Sequence, residues 1–208
     1  MKAAVIGGTG DMGRALARQL SKNNEVIIGS RDPVRALAAA EGIRGAVGMD
    51  YHGASKAADV IIFAIPYLAI GSASELASDL SGKLVISMIN PMKQQGGLLQ
   101  YAPGGVSAAE ELARLLPGSR VATAFNNVPA GFLQRDVVPQ VDILVAADSK
   151  ETYEKTAELV RGIEGMRPLY VGPLSQARIV EGITPLVLNL ARLNGTGSLT
   201  TRFVTWKG

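Results

Sequence analysis

The stretch from Gly8 to Gly13 constrains the fold of this chain more than any other. It reads Gly-Thr-Gly-Asp-Met-Gly, follows an apolar run over 3–6, and precedes apolar residues at helical spacing over 14–20. A G-x-G-x-x-G sequence between a strand and a helix is typical of dinucleotide-binding α/β proteins. Gly8 permits the tight turn, Gly10 leaves room for a pyrophosphate, and Gly13 lets helix and strand pack closely. An ordinary glycine-rich turn is the alternative, because about one residue in nine of the chain is glycine.

The end of the second predicted strand, 25–29, indicates which nucleotide is bound. Enzymes that use NAD usually carry an acidic residue there, which binds the ribose 2′-hydroxyl. This chain has Ser30 and Arg31 instead, and a hydroxyl beside a guanidinium suits a 2′-phosphate. Asp32 precedes a proline, which favours a helix cap over a ribose contact, and Arg35 adds a second cation one turn later. We therefore expect NADP rather than NAD, the alternative being that Arg31 is a solvated loop residue.

The rest of the chain alternates between apolar strands and helices, which predicts an α/β fold of the Rossmann type, doubly wound around a mostly parallel sheet. Further strands are expected within 42–49 and at 59–65, 84–89, 120–126, 143–147 and 168–171, with helices between them, including one over 67–80. The helical segment 175–194 is apolar on more than one side, and Pro185 is expected to kink or split it. We expect a Rossmann domain over 1–174 and a small helical extension over 175–208 that does not fold on its own.

The segment 92–106 breaks this alternation. It is polar and rich in glycine, with Gln-Gln-Gly-Gly at 94–97 and Pro-Gly-Gly at 103–105. Loops of this length inside a compact domain are often lids or binding loops. A flexible surface insertion is the alternative.

Composition excludes several classes of protein. There is no cysteine and a single histidine, His52, so neither a disulfide framework nor a metal site is expected. No apolar run reaches the roughly 18 residues of a membrane span, and Met1 is followed almost at once by the first strand, so we expect a cytoplasmic protein without a targeting segment. The net charge is +3 and the basic residues are scattered, which argues against nucleic-acid binding.

The sequence offers no clear apparatus for proton transfer. None of the five tyrosines is followed four residues later by lysine, as a short-chain dehydrogenase would require, and His52 has no evident partner. Too few residues remain after 171 for the large helical domain of a β-hydroxyacid dehydrogenase. An enzyme that aligns two hydride carriers needs no acid or base, because the cofactors carry the redox chemistry and the protein supplies orientation.

Several segments carry a resemblance to a known family. They are the glycine motif at 7–13, Gly29-Ser30-Arg31, Arg-Pro-Leu at 167–169, Gly-Pro-Leu-Ser at 172–175, Val-Glu-Gly-Ile-Thr-Pro-Leu at 180–186, and Asn-Gly at 194–195. In these segments the chain resembles the coenzyme F420-dependent NADP oxidoreductases over nearly its whole length. The resemblance implies a Rossmann domain with a small C-terminal extension, a homodimer, and hydride transfer between C5 of the deazaflavin and C4 of nicotinamide.

The resemblance also implies which residues bind. Cofactor contacts are expected at Gly8, Thr9, Gly10, Asp11, Met12, Ser30, Arg31, Arg35, Ile65, Asn90 and Ala130, and contacts to F420 at Asn126, Pro129 and Leu199, with no catalytic side chain. Two positions depart from the family pattern. Asn126 stands where the family has a histidine, and Tyr67 stands where it has a tryptophan. The segment 92–106 differs as well, so the departures lie on the side of the second substrate.

Three hypotheses remain open from the sequence. The first is hydride transfer between NADP(H) and F420. The second is an NADPH-dependent reductase of another acceptor, such as a flavin, a quinone or an imine. The third is an NADP(H) sensor without enzymatic activity. In all three we expect small-molecule partners and a homodimer, because the face over 179–190 is too apolar for a monomer.

Overall fold

The structure of the chain, a computed structural model, describes residues 1–206. Its strands are β1 (Lys2–Ile6), β2 (Glu25–Ser30), β3 (Val47–Asp50), β4 (Val60–Phe63), β5 (Leu84–Ser87), β6 (Met92–Gln95), β7 (Leu98–Tyr101), β8 (Arg120–Thr123), β9 (Val141–Ala147) and β10 (Met166–Gly172). Its helices are α1 (Asp11–Leu20), α2 (Pro33–Glu41), α3 (Tyr51–Ala57), α4 (Ala108–Leu115), α5 (Ala130–Leu133), α6 (Lys150–Arg161) and α7 (Ala177–Leu193). Residues 207 and 208, the end of the predicted extension, lie outside the described residues.

An eight-stranded sheet runs through the centre in the order β3-β2-β1-β4-β5-β8-β9-β10. All neighbours from β3 to β8 are parallel. Strand β9 runs antiparallel to β8, and β10 is parallel to β9. The strand order reverses between β1 and β4, which is the position where ligands bind in open α/β sheets. The predicted Rossmann-type, mostly parallel sheet is confirmed.

Helices cover both faces of the sheet, as continuously apolar strands require. Neighbouring residues of β1 point into different cores: Val5 packs in a cluster with residues of α1, α2 and α6, and Ile6 packs in a cluster with residues of α3 and α4. Both side chains are fully buried. The first strand, and with it the glycine turn that follows, is therefore held from both sides.

The predicted cap of α2 is confirmed. The Asp32 carboxylate accepts hydrogen bonds from the backbone N–H groups of Val34 at 2.9 Å and Arg35 at 3.4 Å. A side-chain oxygen at this position satisfies amides that lack partners in the first helical turn. The carboxylate is thus engaged by its own helix and does not reach toward a ribose.

The segment 92–106 contains a β-hairpin, so its description as a loop was wrong. Strands β6 and β7 pair antiparallel from Met92–Tyr101 to Gln95–Leu98. The two residues between them, Gly96 and Gly97, both have positive φ, at 58° and 78°. Left-handed backbone at both central residues is what a two-residue hairpin turn with the twist of the sheet requires, and Gly-Gly supplies it without a steric cost.

One helical prediction needs correction, and one of the two expected effects of Pro185 does not occur. The segment Tyr67–Leu76 is a 3₁₀ helix, not an α-helix. The hydroxyls of Ser72 and Ser74 donate to carbonyls three residues earlier, which competes with the α-helical pattern. Pro185 does not split the last helix, because α7 continues through it; a short 3₁₀ turn, Leu174–Gln176, precedes α7.

Candidate functional site

A cleft of about 470 Å³ opens at the carboxyl ends of the strands where their order reverses. We call it the switch cleft. Its lining residues are Gly7, Thr9, Gly10, Asp11, Met12, Gly13, Arg31, Arg35, Tyr51, Ala64, Ile65, Pro66, Tyr67, Met88, Asn90 and Met92. Eight of the eleven predicted cofactor contacts are therefore brought together in one cavity: Thr9, Gly10, Asp11, Met12, Arg31, Arg35, Ile65 and Asn90.

The three motif glycines play different parts in this cleft. A Cβ on Gly8 would lie 2.8 Å from the Val5 carbonyl oxygen, and one on Gly13 would lie 2.7 Å from the Gly7 carbonyl oxygen. These two glycines are required by the packing of the turn itself. A Cβ on Gly10 would meet no atom closer than 3.6 Å, so the space beside Gly10 belongs to the cleft. Gly10 is also the N-cap of α1 and offers no side-chain cap, so the first amides of that helix are left for an anion.

Two predicted contacts lie behind the wall of the cleft. Gly8 is buried and does not line the cavity. Ser30 is 7% exposed, and its hydroxyl oxygen accepts a hydrogen bond from the Asp32 N–H at 3.2 Å. Gly8 and Ser30 therefore support the two turns, after β1 and after β2, that carry the lining residues.

One end of the switch cleft is cationic. Arg31 and Arg35 both line it and are exposed, and within residues 1–206 neither guanidinium forms an ion pair. The neighbouring carboxylates are used elsewhere: Asp32 caps α2, and Asp50 caps α3 by accepting from the Gly53 N–H at 2.6 Å. Two free guanidinium groups without an acid beside them suit a phosphate monoester.

A second cavity, of about 270 Å³, adjoins the first, and we call it the side pocket. Its lining residues are Met12, Met88, Asn90, Phe125, Asn126, Asn127, Val128, Pro129, Ala130, Thr184, Val187, Leu188 and Leu199. The predicted F420 contacts Asn126, Pro129 and Leu199 all line it, and so does Ala130, which was expected beside nicotinamide. Met12, Met88 and Asn90 line both cavities, so the two spaces meet at these residues.

A network of amides and hydroxyls connects Asn90, which lines both cavities, with Asn126, which lines the side pocket. The Asn90 side chain donates to the Asn126 carbonyl at 3.2 Å, and the Asn126 side chain donates back to the Asn90 side-chain oxygen at 3.2 Å. The Thr184 hydroxyl lies 2.8 Å from the Asn126 carbonyl and 3.1 Å from the Asn90 side-chain oxygen. The Thr123 hydroxyl donates to the side-chain oxygen of Asn126 at 2.8 Å. Because the Asn126 amide is fully engaged with protein, it acts as a rigid wall of the pocket.

The residue before this network is in an unusual conformation. Phe125 has φ of 64°, in the left-handed region, and is the one non-glycine residue with positive φ among the described residues. Its side chain is completely buried. Such a conformation costs roughly 1–2 kcal/mol and persists only where the surroundings fix it. The backbone of the turn after β8 is thus strained, and this turn places Asn126 and Asn127 at the side pocket.

The C-terminal segment 199–203 closes the side pocket from the far side. The Asn127 side chain donates to the Thr201 hydroxyl at 2.6 Å and to the Asp142 carbonyl at 2.9 Å. The Arg167 guanidinium donates two hydrogen bonds to the Asp142 carboxylate, at 2.7 and 2.8 Å, and a third to the Phe203 carbonyl. This contact with Arg167 lowers the pKa of Asp142 below its ordinary value. The ion pair anchors the tail, and the tail places Leu199 in the pocket.

The hairpin β6–β7 is clamped onto α7 and forms an outer wall of the switch cleft through Met92. The Asn189 side chain exchanges two hydrogen bonds with the backbone of Leu99, at 2.9 and 2.7 Å. Below the hairpin, Tyr67 accepts from the Gly104 N–H at 2.7 Å and donates to Glu111 at 2.9 Å. The tyrosine that departs from the family pattern therefore fixes the return of the hairpin to α4.

Glu181 on α7 is a fully buried carboxylate at the base of the hairpin. It accepts hydrogen bonds from the Tyr101 hydroxyl at 2.9 Å and from the N–H groups of Ala108 and Ala109 at 3.0 Å each. It therefore joins β7, the N-terminus of α4 and α7. Burial raises the pKa of Glu181 to about 7, against the opposing effect of these donors.

The two cavities differ in their ionisable residues: Asp11, Tyr51 and Tyr67 line the switch cleft together with the two arginines. None of the residues that line the side pocket is ionisable. His52 lines neither cavity; it is exposed and pairs with Asp79 at 2.7 Å. Among the described residues, no His, Cys, Asp and Glu side chains group in a way that would hold a metal ion, and no helix has the length and apolar character needed to cross a membrane.

Sequence reasoning missed several residues of the two cavities. Tyr51, Met88 and Met92 line the switch cleft, and Thr184, Val187 and Leu188 line the side pocket. Tyr51 follows β3 and Met88 follows β5, so the rule that ligands bind at the carboxyl ends of the strands points to both. The residues of α7 had no comparable signal, because their position over the pocket depends on tertiary packing.

Comparisons with known proteins indicate which family the chain resembles. Residues 2–91 match the profile of a family described as NADP oxidoreductase, coenzyme F420-dependent. The chain is 36% identical to an F420-dependent NADP reductase of Methanocaldococcus jannaschii, over 95% of this chain and 96% of that protein. It is 39% identical to a protein of the same description from Methanothermobacter thermautotrophicus, over 91% of this chain and 89% of that protein.

A solved structure agrees with the fold as well. A crystal structure from Arthrobacter sp. FB24 superimposes with a TM-score of 0.85, covers 99% of this chain and 100% of its own, and is 23% identical in sequence. At this identity the likeness shows the fold alone. It covers the C-terminal helix and tail as well as the central sheet, so the complete architecture occurs in another protein.

Proposed function

We propose that this chain, which belongs to the family of coenzyme F420-dependent NADP oxidoreductases, transfers a hydride between NADP(H) and the deazaflavin F420. The observation that carries the proposal is the junction of the two cavities at Met12, Met88 and Asn90. A nicotinamide ring at this end of the switch cleft faces the side pocket directly. With both bound, the two cofactors would supply the chemistry: hydride would pass between C4 of nicotinamide and C5 of the deazaflavin, and the reduced deazaflavin, whose negative charge is delocalised over its pyrimidine ring, would take up one proton from solvent.

The residues of the chain bind and orient in this proposal. Thr9, Gly10, Asp11 and Met12 hold the pyrophosphate at the open N-terminus of α1, and Arg31 and Arg35 hold the 2′-phosphate. Ile65 and Asn90 line the nicotinamide end of the cleft. Gly8 and Ser30 support the turns behind these groups. Asn126, Pro129, Ala130 and Leu199 form the walls against which a flat second ring is placed.

The lack of ionisable groups in the side pocket supports hydride exchange between two cofactors. Reduction of a carbonyl or an imine leaves a basic oxygen or nitrogen, which needs a proton from a positioned donor. The described residues of the pocket offer amides, a hydroxyl and apolar side chains only. Placement of two hydride carriers at contact distance is what such a pocket can contribute.

We expect purified protein to oxidise NADPH with F420 as acceptor. The loss of the visible absorbance of oxidised F420 is measured with NADPH and with NADH as the donor. With FAD, a quinone or a cyclic imine as the alternative acceptor, the oxidation of NADPH is measured instead. Turnover with F420 well above that with the other acceptors supports the proposal. Turnover with another acceptor and not with F420 identifies a different reductase, and nucleotide binding without any turnover identifies a sensor.

We also propose that the chain is a homodimer that buries the outer face of α7. Ile179, Leu186 and Leu193 on this helix are 61%, 55% and 68% exposed, and Val204 and Trp206 in the tail are 84% and 92% exposed. An exposed stripe of large apolar side chains on one helix suits a protein interface. The extension 175–208, which depends on the sheet through Thr184, then serves both the side pocket and the dimer.

Replacing Leu186 by Glu is expected to convert the dimer to a monomer, because a carboxylate would be buried in an apolar interface. Light scattering at micromolar concentration measures the mass of the particle. Val34→Glu is the control, since Val34 is 71% exposed on α2, on another part of the surface. A monomer before any substitution contradicts the proposal.

A cytoplasmic location and the absence of nucleic-acid partners stay predictions. The scattered distribution of 21 basic and 18 acidic residues supports the second of them.

A further inference from the structure

We infer that the hydroxyl of Tyr51 is a third ligand of the 2′-phosphate of NADP(H), beside Arg31 and Arg35, and so contributes to the choice of NADP over NAD. The inference rests on the nucleotide half of the proposed function and is independent of the identity of the second substrate. Tyr51 is the first residue of α3 and lines the switch cleft.

Strand register brings Tyr51 next to Arg31. In the parallel pair of β2 and β3, Ser30 lies opposite Asp50. Arg31 is the residue after Ser30 and Tyr51 is the residue after Asp50, so both leave the carboxyl edge of the sheet at neighbouring positions. The capping of α3 by Asp50 fixes the turn that carries Tyr51, through the hydrogen bond to the Gly53 N–H.

The ring of Tyr51 is held while its hydroxyl has no protein partner. The side chain is partly buried and packs against the core cluster that includes Ile6 and Ala54. Within residues 1–206, no hydrogen bond is formed by its hydroxyl; the other cleft tyrosine, Tyr67, is bonded to Gly104 and Glu111. A preorganised ring with a free hydroxyl is well suited to a ligand, because little side-chain freedom is lost on binding.

The electrostatic setting keeps this hydroxyl a donor. Burial raises the pKa of Tyr51 above its ordinary value of 10, and the positive charge of Arg31 acts in the opposite direction. The phenol is therefore protonated at neutral pH, and it lines the same cleft as the two guanidinium groups. A phosphate monoester has three acceptor oxygens, which two guanidinium groups and one phenol can share.

Replacement of Tyr51 by Phe removes the hydroxyl and keeps the ring. Calorimetric titration with adenosine 2′,5′-bisphosphate and with adenosine 5′-monophosphate isolates the 2′-phosphate, since the two ligands differ in that group alone. We expect Tyr51→Phe to weaken binding of the bisphosphate by about tenfold and to leave binding of the monophosphate unchanged. No second substrate and no turnover enter this measurement.

Tyr170→Phe is the matched control, because the Tyr170 hydroxyl donates to the Ala147 carbonyl on β9, far from the switch cleft. It should leave both affinities unchanged. Unaltered selectivity in Tyr51→Phe overturns the inference. If Tyr51→Leu weakens both ligands equally while Tyr51→Phe does not, the ring acts as a platform for adenine and the hydroxyl assignment is likewise overturned. Lack of bisphosphate binding by the unaltered chain overturns the NADP assignment as a whole.

Discussion

Replacing both Arg31 and Arg35 by Ala is expected to weaken NADPH binding by at least about 100-fold. Each guanidinium is free of acidic partners and faces the same end of the switch cleft. A charge-assisted hydrogen bond contributes roughly 1.5–3 kcal/mol, so the loss of two exceeds the roughly 2.8 kcal/mol that corresponds to this factor. Binding of NADH should change little, because NADH has no 2′-phosphate. Fluorescence titration of the reduced nucleotides measures both affinities.

The control for this pair of substitutions removes two positive charges at positions outside the switch cleft. Arg44 and Arg161 are exposed, and neither lines the switch cleft. Their joint replacement by Ala lowers the positive charge by the same amount, so any general steering of anions is matched. Equal losses for NADPH and NADH in the Arg31 and Arg35 variant contradict the 2′-phosphate assignment.

The stability of the chain should fall as pH rises from about 4.5 to about 7, because of Glu181. Its pKa is raised from 4.5 to about 7 by burial, so over this range the folded chain binds a proton that the unfolded chain has released. Unfolding then becomes easier with rising pH, by on the order of 3 kcal/mol in total, and the effect levels off above pH 7. Urea unfolding at a series of pH values measures it.

Glu181→Gln should flatten this profile. The Ala109 N–H donates to Oε1 of Glu181, whereas the Ala108 N–H and the Tyr101 hydroxyl donate to Oε2, so the single side-chain oxygen of glutamine can accept on one side only. The substitution therefore lowers stability at every pH, but it removes the titrating group. The titratable groups that act on the carboxylate are Glu110 and the phenols of Tyr101 and Tyr67, and Arg178 lies one step away, 3.8 Å from the Glu110 carboxylate. A Glu181→Gln chain that keeps the slope of the unaltered chain would rule out Glu181 as its origin.

Glu110→Gln is the matched control for this experiment. Burial acts to raise the pKa of Glu110, but hydrogen bonds from Ser107 outweigh it, and the net pKa is lowered. The stability that Glu110 contributes is present above its ordinary pKa of 4.5 and is lost as pH falls below that value. The charge of Glu110 is the smallest of the causes given above for the raised pKa of Glu181, so the substitution should leave most of the slope between pH 4.5 and 7 in place.

The nucleotide end of the site was predictable because its determinants are local. The six residues from Gly8 to Gly13 form their own turn, and Arg31 follows directly from the strand that carries it. In both cases, sequence neighbours are also spatial neighbours. The cap at Asp32 is equally local, which is why the sequence indicated that this carboxylate would not contact a ribose.

The second cavity was less accessible to sequence reasoning, because its walls come from distant segments. Thr184 contacts Asn90 across 94 positions of the chain, and Thr201 contacts Asn127 across 74. Contacts between such distant residues leave no periodic pattern of apolar residues in the sequence. The resemblance to a family supplied Asn126, Pro129 and Leu199, but not the residues of α7 beside them.

The hairpin β6–β7 and Tyr51 were missed for different reasons. The hairpin was missed although Gly96 and Gly97 stand between two four-residue strands, since the flanking residues, Met-Lys-Gln-Gln and Leu-Leu-Gln-Tyr, give no apolar alternation. Tyr51 was missed because β3, the strand that it follows, lies in a glycine-rich segment with a weak strand signal.

The lining of the two cavities also sets an order in which they arise during synthesis. Every residue of the switch cleft lies before position 93, whereas the side pocket needs Leu199 from the last tenth of the chain. While the chain emerges from the ribosome, the glycine turn and its arginines are made long before the opposite wall. A polypeptide cut short by premature termination before Leu199 would lack a wall of the compartment that admits the second ring.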